Sequence, residues 1–334
     1  MRRWLLVLTL ALLALGALAG ERFELTILHT NDLHGMLLPH QYTPAVPGFA
    51  VRLPGEVGGL ARRATAIANA RKEITYPLAV IDTGDVFTRG PWHTRFYGVP
   101  EIEALNAMGY DLLCVGNNEL KATEKTDSQA IMLGLLRRSR FPWLAANLTV
   151  GETGVPVPGV QPFVVRDYGG VRVGYLGLTA PRAAEYPQTK GWTISDPIAA
   201  AKTWVPLARK ECDILIAVTH IGVDLDRRLA AEVAGIDAIV GGDSHTYLPQ
   251  PVPVKNPAGI SVPIAQAGEQ GVMLGRLDLV FEKAEGWALA ESSGRLQPLT
   301  ANIPEEPAMK ALLQRWLAPE PVKVGRRWIL PAAA

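Results

Sequence analysis

The chain has 334 residues, of which 48% are hydrophobic, 19% charged and 7% aromatic. This composition excludes a disordered or collagen-like chain and leaves room for one large α/β domain or two ordinary ones. Lysine and arginine number 33 against 32 acids, so the basic excess that marks nucleic-acid binders is missing and no nucleic-acid partner is expected.

At the N-terminus, Arg2 and Arg3 precede an apolar run from Trp4 to Ala19 that ends in Ala17-Leu18-Ala19 before Gly20. The run falls short of the roughly 20 residues of a membrane span and closes on small residues. Residues 1–19 therefore read as a cleaved secretory signal peptide, with a retained anchor as the alternative. Cleavage would remove two arginines and no acid, leaving 31 basic and 32 acidic residues. No other apolar run is long enough to cross a bilayer. The expectation is an exported protein, periplasmic or extracellular, with no membrane association after cleavage.

The predicted elements then alternate. Glu24–His29 reads as a strand, Gly58–Lys72 as a helix and Pro77–Asp82 as a strand. Pro100–Met108 is a short helix opened by proline, a residue suited to the first helical turn. Asp111–Val115 is a strand, Ser128–Ser139 a helix and Trp143–Leu148 a strand. Phe163–Tyr168 and Val171–Gly177 flank Gly169-Gly170, a two-residue hairpin signal. Helices over Pro197–Glu211 and Arg227–Ala234 separate strands at Asp213–Val218 and Asp237–Val240. Met273–Glu282 and Ala288–Gln297 have no helix between them and should pair antiparallel. Gln41–Pro54 and the proline-rich Pro249–Pro257 read as loops, and the tail from Pro304 holds one amphipathic helix, Pro307–Leu317. Strands alternating with helices imply a mostly parallel sheet with helices on its faces. Cys114 and Cys212 each border an apolar run and read as small core residues, since two cysteines make no disulfide framework.

The chemistry lies where the strands end. Five apolar runs each finish in a polar cluster: Thr30-Asn31-Asp32-Leu33-His34-Gly35, Thr83-Gly84-Asp85, Gly116-Asn117-Asn118-Glu119, Thr219-His220-Ile221-Gly222 and Gly241-Gly242-Asp243-Ser244-His245-Thr246. Taken singly, a strand-end Asp or Gly-Asp is an ordinary turn, and a lone histidine such as His220 is an ordinary core or rim residue. Five together are not ordinary, because ligands bind beyond the carboxyl ends of parallel strands and all five would meet on one rim. Carboxylate, imidazole and amide ligands suit divalent Mn, Fe, Co or Zn. Two such ions roughly 3.5–4 Å apart can activate a hydroxide and clamp a phosphoryl group. Asp85 could bridge them. His29 is expected beside the site, orienting a ligand, and His40 is given no role.

These residues resemble a known family, the metallophosphoesterase domain of the secreted 5′-nucleotidase branch of the calcineurin-like superfamily. The matching stretches, in the family's order over residues 24–282, are ILHTNDLHG (27–35), DTGDVF (82–87), GYDLLCVGNNEL (109–120), VGYLGLTAP (173–181), VTHIGVDLDRRLA (218–230), GIDAIVGGDSHT (235–246) and IAQAGEQGVMLGRLDL (264–279). The resemblance implies a four-layer α/β/β/α sandwich with mixed sheets over residues 20–303, with 304–334 as a C-terminal helix and tail. It implies that Asp32, His34 and His245 hold a first divalent ion, that Asp85 bridges, and that Asn117 and His220 hold a second. Glu119 falls at the family's supporting acid, and Gln266, Ala267 and Gly268 fall on a loop near the site.

The chain departs from the family pattern in three ways. Asn118 stands where the family reads histidine; it can donate a hydrogen bond but cannot act as a general acid. Asp243 stands where the family reads a histidine ligand, which keeps a ligand but adds negative charge. The family's nucleoside-recognising C-terminal domain has no counterpart in these 334 residues. Arg89 and His93, in the loop Phe87–Tyr97, are candidates to supply the charge lost at position 118. The leading expectation is an exported two-metal hydrolase in which metal-activated hydroxide attacks the phosphorus of a nucleotide or related small phosphoester. The alternatives are a metal-binding pseudoenzyme, favoured by Asn118 and Asp243, and a sulfur-ester hydrolase on the same scaffold.

Overall fold

The computed structural model describes residues 21–46, 53, 55–90, 92–123 and 127–317, with two further short strands at Val322–Val324 and Arg327–Ile329. The signal peptide expected over residues 1–19 and part of the expected loop Gln41–Pro54 lie outside the described residues. Among the described residues no helix is long and apolar enough to cross a membrane.

Two sheets carry the molecule. The first contains β1 (Arg22–Thr30), β2 (Leu78–Asp82), β3 (Leu112–Cys114), β4 (Trp143–Leu144) and β5 (Val160–Gln161). The second contains β6 (Phe163–Asp167), β7 (Arg172–Leu178), β8 (Ile214–Thr219), β9 (Ala238–Val240), β10 (Val252–Lys255) and β11 (Ser261–Ala265). The late strands β12 (Met273–Lys283) and β13 (Trp287–Pro298) return to the first sheet. The strand orders are β13-β12-β1-β2-β3-β4-β5 and β10-β11-β9-β8-β7-β6. β1 to β5 run parallel, as do β7, β8, β9 and β11. In the first sheet β12 pairs antiparallel with both β1 and β13, and in the second β6 pairs antiparallel with β7 and β10 with β11, so both sheets are mixed.

Alternate residues of each strand feed different cores, as the period-two geometry of a strand requires. Leu25 and Ile27 of β1 meet Ile214, Ile216 and Val218 of β8 between the sheets. Leu28 and Val80 face outward onto helices α1 (Leu60–Glu73), α3 (Val99–Met108) and α5 (Ser128–Arg138); the short helices α2 (His93–Phe96) and α4 (Asn117–Leu120) lie between these. On the far side, Leu215 and Ala217 pack under α6 (Pro197–Ala208) and α7 (Val223–Glu232). The result is the expected four-layer α/β/β/α sandwich. The C-terminal helix α8 (Pro307–Leu317) sends Met309 and Leu313 into the same core as α1 and α3, and Trp316 Nε1 donates to Glu103 at 2.8 Å. A Cβ on Gly177 would lie 2.5 Å from the backbone carbon of Leu144, so the two sheets touch there and only glycine fits.

Local expectations hold with three corrections. The Gly169-Gly170 hairpin forms with φ of 70° and 98° at its glycines, values open to glycine without strain. Asp196 caps α6 by accepting from the Ala199 N–H at 2.8 Å. The expected strand Trp143–Leu148 instead ends at Leu144, because the Ala146 N–H crosses to the Gly177 carbonyl of the other sheet at 2.8 Å. Leu148–Val150 pairs separately with Trp192–Ile194. The proline-rich Pro249–Pro257 contains β10, which tolerates Pro253 because it is an edge strand. Helix α7 begins at Val223 and not Arg227, since Ser244 from a distant loop accepts the Val223 N–H at 3.1 Å.

Candidate metal centre

All five strand-end clusters lie at the carboxyl ends of parallel strands and meet between the sheets. Thr83 Oγ1 donates to the Gly241 carbonyl at 3.0 Å, and the Asp243 N–H donates to Asp32 Oδ2 at 2.9 Å. Nine non-glycine residues among those described have left-handed φ, and five of them are Asp32, His34, Asp85, Asp243 and His245. Each such conformation costs about 1 kcal/mol or more. Its concentration in these side chains shows backbone bent to aim them inward.

The side chains form two overlapping groups, Asp32 with His34 and His245, and Asp32 with Asp85 and His220. Asp32 is the shared member. Its Oδ2 is held by the Asn31 amide at 2.8 Å and by the Asp243 N–H, while its Oδ1 has no hydrogen-bond partner. Around that oxygen stand the Nε2 atoms of His245 at 3.3 Å, His34 at 3.8 Å and His220 at 3.9 Å. The His34 and His245 Nε2 atoms are 3.1 Å apart. His220 Nε2 is also 3.3 Å from Asp85 Oδ1 and 3.5 Å from Asp243 Oδ1.

Supporting groups fix which atoms face inward. His220 Nδ1 donates to the Thr83 carbonyl at 2.7 Å, turning Nε2 into the site. His245 Nδ1 pairs with Glu269 at 3.0 Å and does the same. Asn118 grips Asp85 twice, from its backbone N–H to Oδ1 at 2.7 Å and from its side-chain amide to Oδ2 at 2.5 Å. Glu119, fully buried, accepts N–H bonds from Gly116, Asp85 and Val86 at 2.7–2.9 Å and so fixes the turn that carries Asp85.

The charges of the site suit a cation. Burial opposes a charged His220, yet Asp85 and Asp32 outweigh it and hold its pKa well above the ordinary imidazole value. Burial likewise opposes the charged form of His245, but Asp32 and Glu269 raise its pKa to about 9. Buried and without a hydrogen bond, Asp32 Oδ1 and His220 Nε2 face the same space, with Asp243 Oδ1 3.5 Å from His220 Nε2. In folded proteins most buried polar atoms are paired. A set of carboxylate and imidazole lone pairs converging in this way fits divalent ions.

The other expected residues fall around this centre. Asn117 Oδ1 accepts from Arg182, and Asn117, Asn118, Arg89, His93, Lys121 and Arg182 line a cavity of about 640 Å³ that opens beside it. His93 stacks on Phe87, with Nε2 2.5 Å from the Ala122 carbonyl; burial lowers its pKa and keeps it neutral. Gln266 joins the loop by accepting the Thr246 N–H, and the Ala267 N–H donates to Asn31 at 2.9 Å. His29 orients no ligand. Its side chain makes no hydrogen bond among the described residues, its ring packs over Gly275, and burial lowers its pKa to about 4. Arg182 and Glu269 are not expected from the sequence. Arg182 lies four residues past the end of β7, at a sixth strand end where the same rule would have found it.

The family profile for calcineurin-like phosphoesterase matches residues 25–247. The chain belongs to that family. It is 31% identical to bovine 5′-nucleotidase over 92% of its own length. The chain spans about 55% of the length of that relative. Among solved structures, the 5′-nucleotidase precursor of Thermus thermophilus superposes with a TM-score of 0.77 at 28% identity, over 89% of this chain and 59% of that one. Sulfate thiohydrolase SoxB of Thermus thermophilus superposes equally well, at 0.77, over 89% of this chain and 60% of that one; at 22% identity it shows the fold alone. This calcineurin-like domain is of the metal-dependent phosphoester hydrolase class, and it carries buried carboxylate–imidazole groups that could hold a metal ion.

Proposed function

We propose that this calcineurin-like protein is an exported hydrolase that uses two divalent ions, Mn, Zn, Co or Fe, to cleave a nucleotide or related small phosphoester. The observation that carries the reading is the convergence of Asp32, His34, Asp85, His220 and His245 on one buried space, with Asp32 Oδ1 and His220 Nε2 left without a hydrogen bond. Asp32, His34 and His245 would hold one ion; Asp85, His220, Asn117 and Asp243 would hold the other, with Asp32 or Asp85 shared. Bound there, the ions supply Lewis-acid charge to the phosphoryl group and make a water nucleophilic at neutral pH. The relatives' names support a nucleotide, and the N-terminal apolar run supports export.

The chain's own residues set the geometry. Glu119 and Asn118 hold Asp85 in place, while Thr83 and Glu269 keep the Nε2 atoms of His220 and His245 free for coordination. Asn118 cannot protonate a leaving group, so the reaction favours esters whose leaving oxygen is already a weak base. Arg182 and Arg89 place positive charge on the cavity wall, and neutral His93 shapes it. A pseudoenzyme is the second reading, favoured by the grip of Arg182 on Asn117 and Asp243.

The test is turnover of mono- and bis-p-nitrophenyl phosphate with each metal, beside Asp85→Asn. Metal-dependent turnover lost in Asp85→Asn supports hydrolysis. Metal binding without any turnover moves the protein to the second reading.

A further inference from the structure

Arg182 reaches from the turn Pro181–Glu185 back to the metal centre. Its Nη1 donates to Asp243 Oδ2 at 2.6 Å, and its Nη2 pairs with Asp243 Oδ1 and donates to Asn117 Oδ1. Asp243 and Asn117 are thus engaged by a guanidinium, and Asp243 belongs to neither cluster centred on Asp32. Burial opposes the charged form of Arg182, but the bonds to Asp243 outweigh it.

Asp243 adds a negative charge where the family pattern has a neutral imidazole, and Arg182 adds the positive charge that cancels it. The two charges offset each other across the fork. A divalent ion taken up between Asn117, His220 and Asp243 would meet a fixed like charge and would have to break a forked carboxylate pair. At the effective dielectric of a protein site this weakens such an ion by roughly 10–100-fold. The Arg182 side chain is 47% exposed, so it has room to swing outward.

We propose that the Arg182 guanidinium is the resident cation at the second metal position. The protein then holds one divalent ion firmly, through Asp32 and its histidines, and takes a second only by displacing Arg182. Occupancy of the second position, and with it any two-ion chemistry, follows the free metal concentration. The proposal rests on the reading that Asn117 and Asp243 serve a second ion.

The test is Mn(II) binding to the full chain, read by the electron paramagnetic resonance of free and coupled Mn(II) and by metal content after dialysis. The wild type should retain one ion through dialysis and bind a second roughly a hundredfold more weakly. Arg182→Gln should tighten the second ion about tenfold or more and give a spin-coupled pair at lower metal. Arg182→Lys, which keeps charge without the fork, should fall between them and serves if the glutamine variant misfolds. Two ions of equal affinity in the wild type would overturn the proposal, as would an unchanged or weakened second ion in both variants. A wild type that binds no Mn(II) refutes the metal-centre reading itself, and with it the proposal.

Discussion

Glu101 lies in the first turn of α3, 1% exposed, with no hydrogen-bond partner for either carboxylate oxygen among the described residues. It is wedged under the loop that carries His34: a Cβ on Gly35 would sit 3.3 Å from Glu101 Oε1. Burial pushes its pKa from 4.5 up to about 7. The folded state therefore binds this proton more tightly than the unfolded state does. Below pH 4.5 both states are protonated and the carboxyl costs nothing; stability then falls as pH rises to about 7 and stays lowered above it. A shift of that size corresponds to about 3 kcal/mol as an upper bound. Glu101→Gln removes the charge at nearly constant shape. Urea unfolding with EDTA at pH 4.5 and 8.5 should show near-equal stabilities at the lower pH, and a variant more stable by up to about 3 kcal/mol at the higher. A variant less stable at pH 8.5, or a difference independent of pH, would mean that the carboxylate has a partner and that the burial argument fails.

Glu119→Gln leaves one of three accepted N–H groups facing an amide NH₂, a loss of about 2 kcal/mol. Urea unfolding with unchanged stability would contradict the role given to Glu119 in fixing the Asp85 turn. Asn118→His restores a general acid, and turnover of an alkyl phosphate should rise roughly tenfold or more, with a smaller gain on p-nitrophenyl phosphate. An equal gain on both esters, or none, would show that leaving-group protonation does not limit the rate.

The architecture was legible because fully buried parallel strands have a distinctive sequence. DILIAV and PLAVID are apolar on both faces, and each stops where a turn must carry the polar group that follows. That rule points to Asp32, His34, Asp85, His220, Asp243 and His245, which the fold brings together although 213 positions separate the first from the last. What a rule of strand ends cannot give is which side chains supply the second contact. Asp32 proves to be the shared member of the clusters because its φ of 50° turns Oδ1 toward three histidines, a fact of backbone geometry. Asn118 reads as a hydrogen-bond donor, and that its amide holds Asp85 Oδ2 is visible only in the fold. Glu269 and Arg182 belong to loops whose sequences look solvated, and only the closure of the two sheets brings them to His245 and Asp243. The start of α7 was missed for a similar reason, because its cap, Ser244, comes from another loop. Strand β10 was missed because edge strands accept the prolines that interior strands reject.

Asp32→Asn is the most direct test of the metal centre. The variant can keep its amide oxygen on the Asn31 and Asp243 N–H donors, so the fold is expected to survive while the one oxygen shared by both clusters is replaced. Metal content after dialysis and turnover of p-nitrophenyl phosphate would be measured on the same samples of wild type and variant. The account predicts loss of bound metal and of turnover together in a variant that remains folded by circular dichroism. A folded Asp32→Asn protein that keeps wild-type metal content and turnover would contradict it.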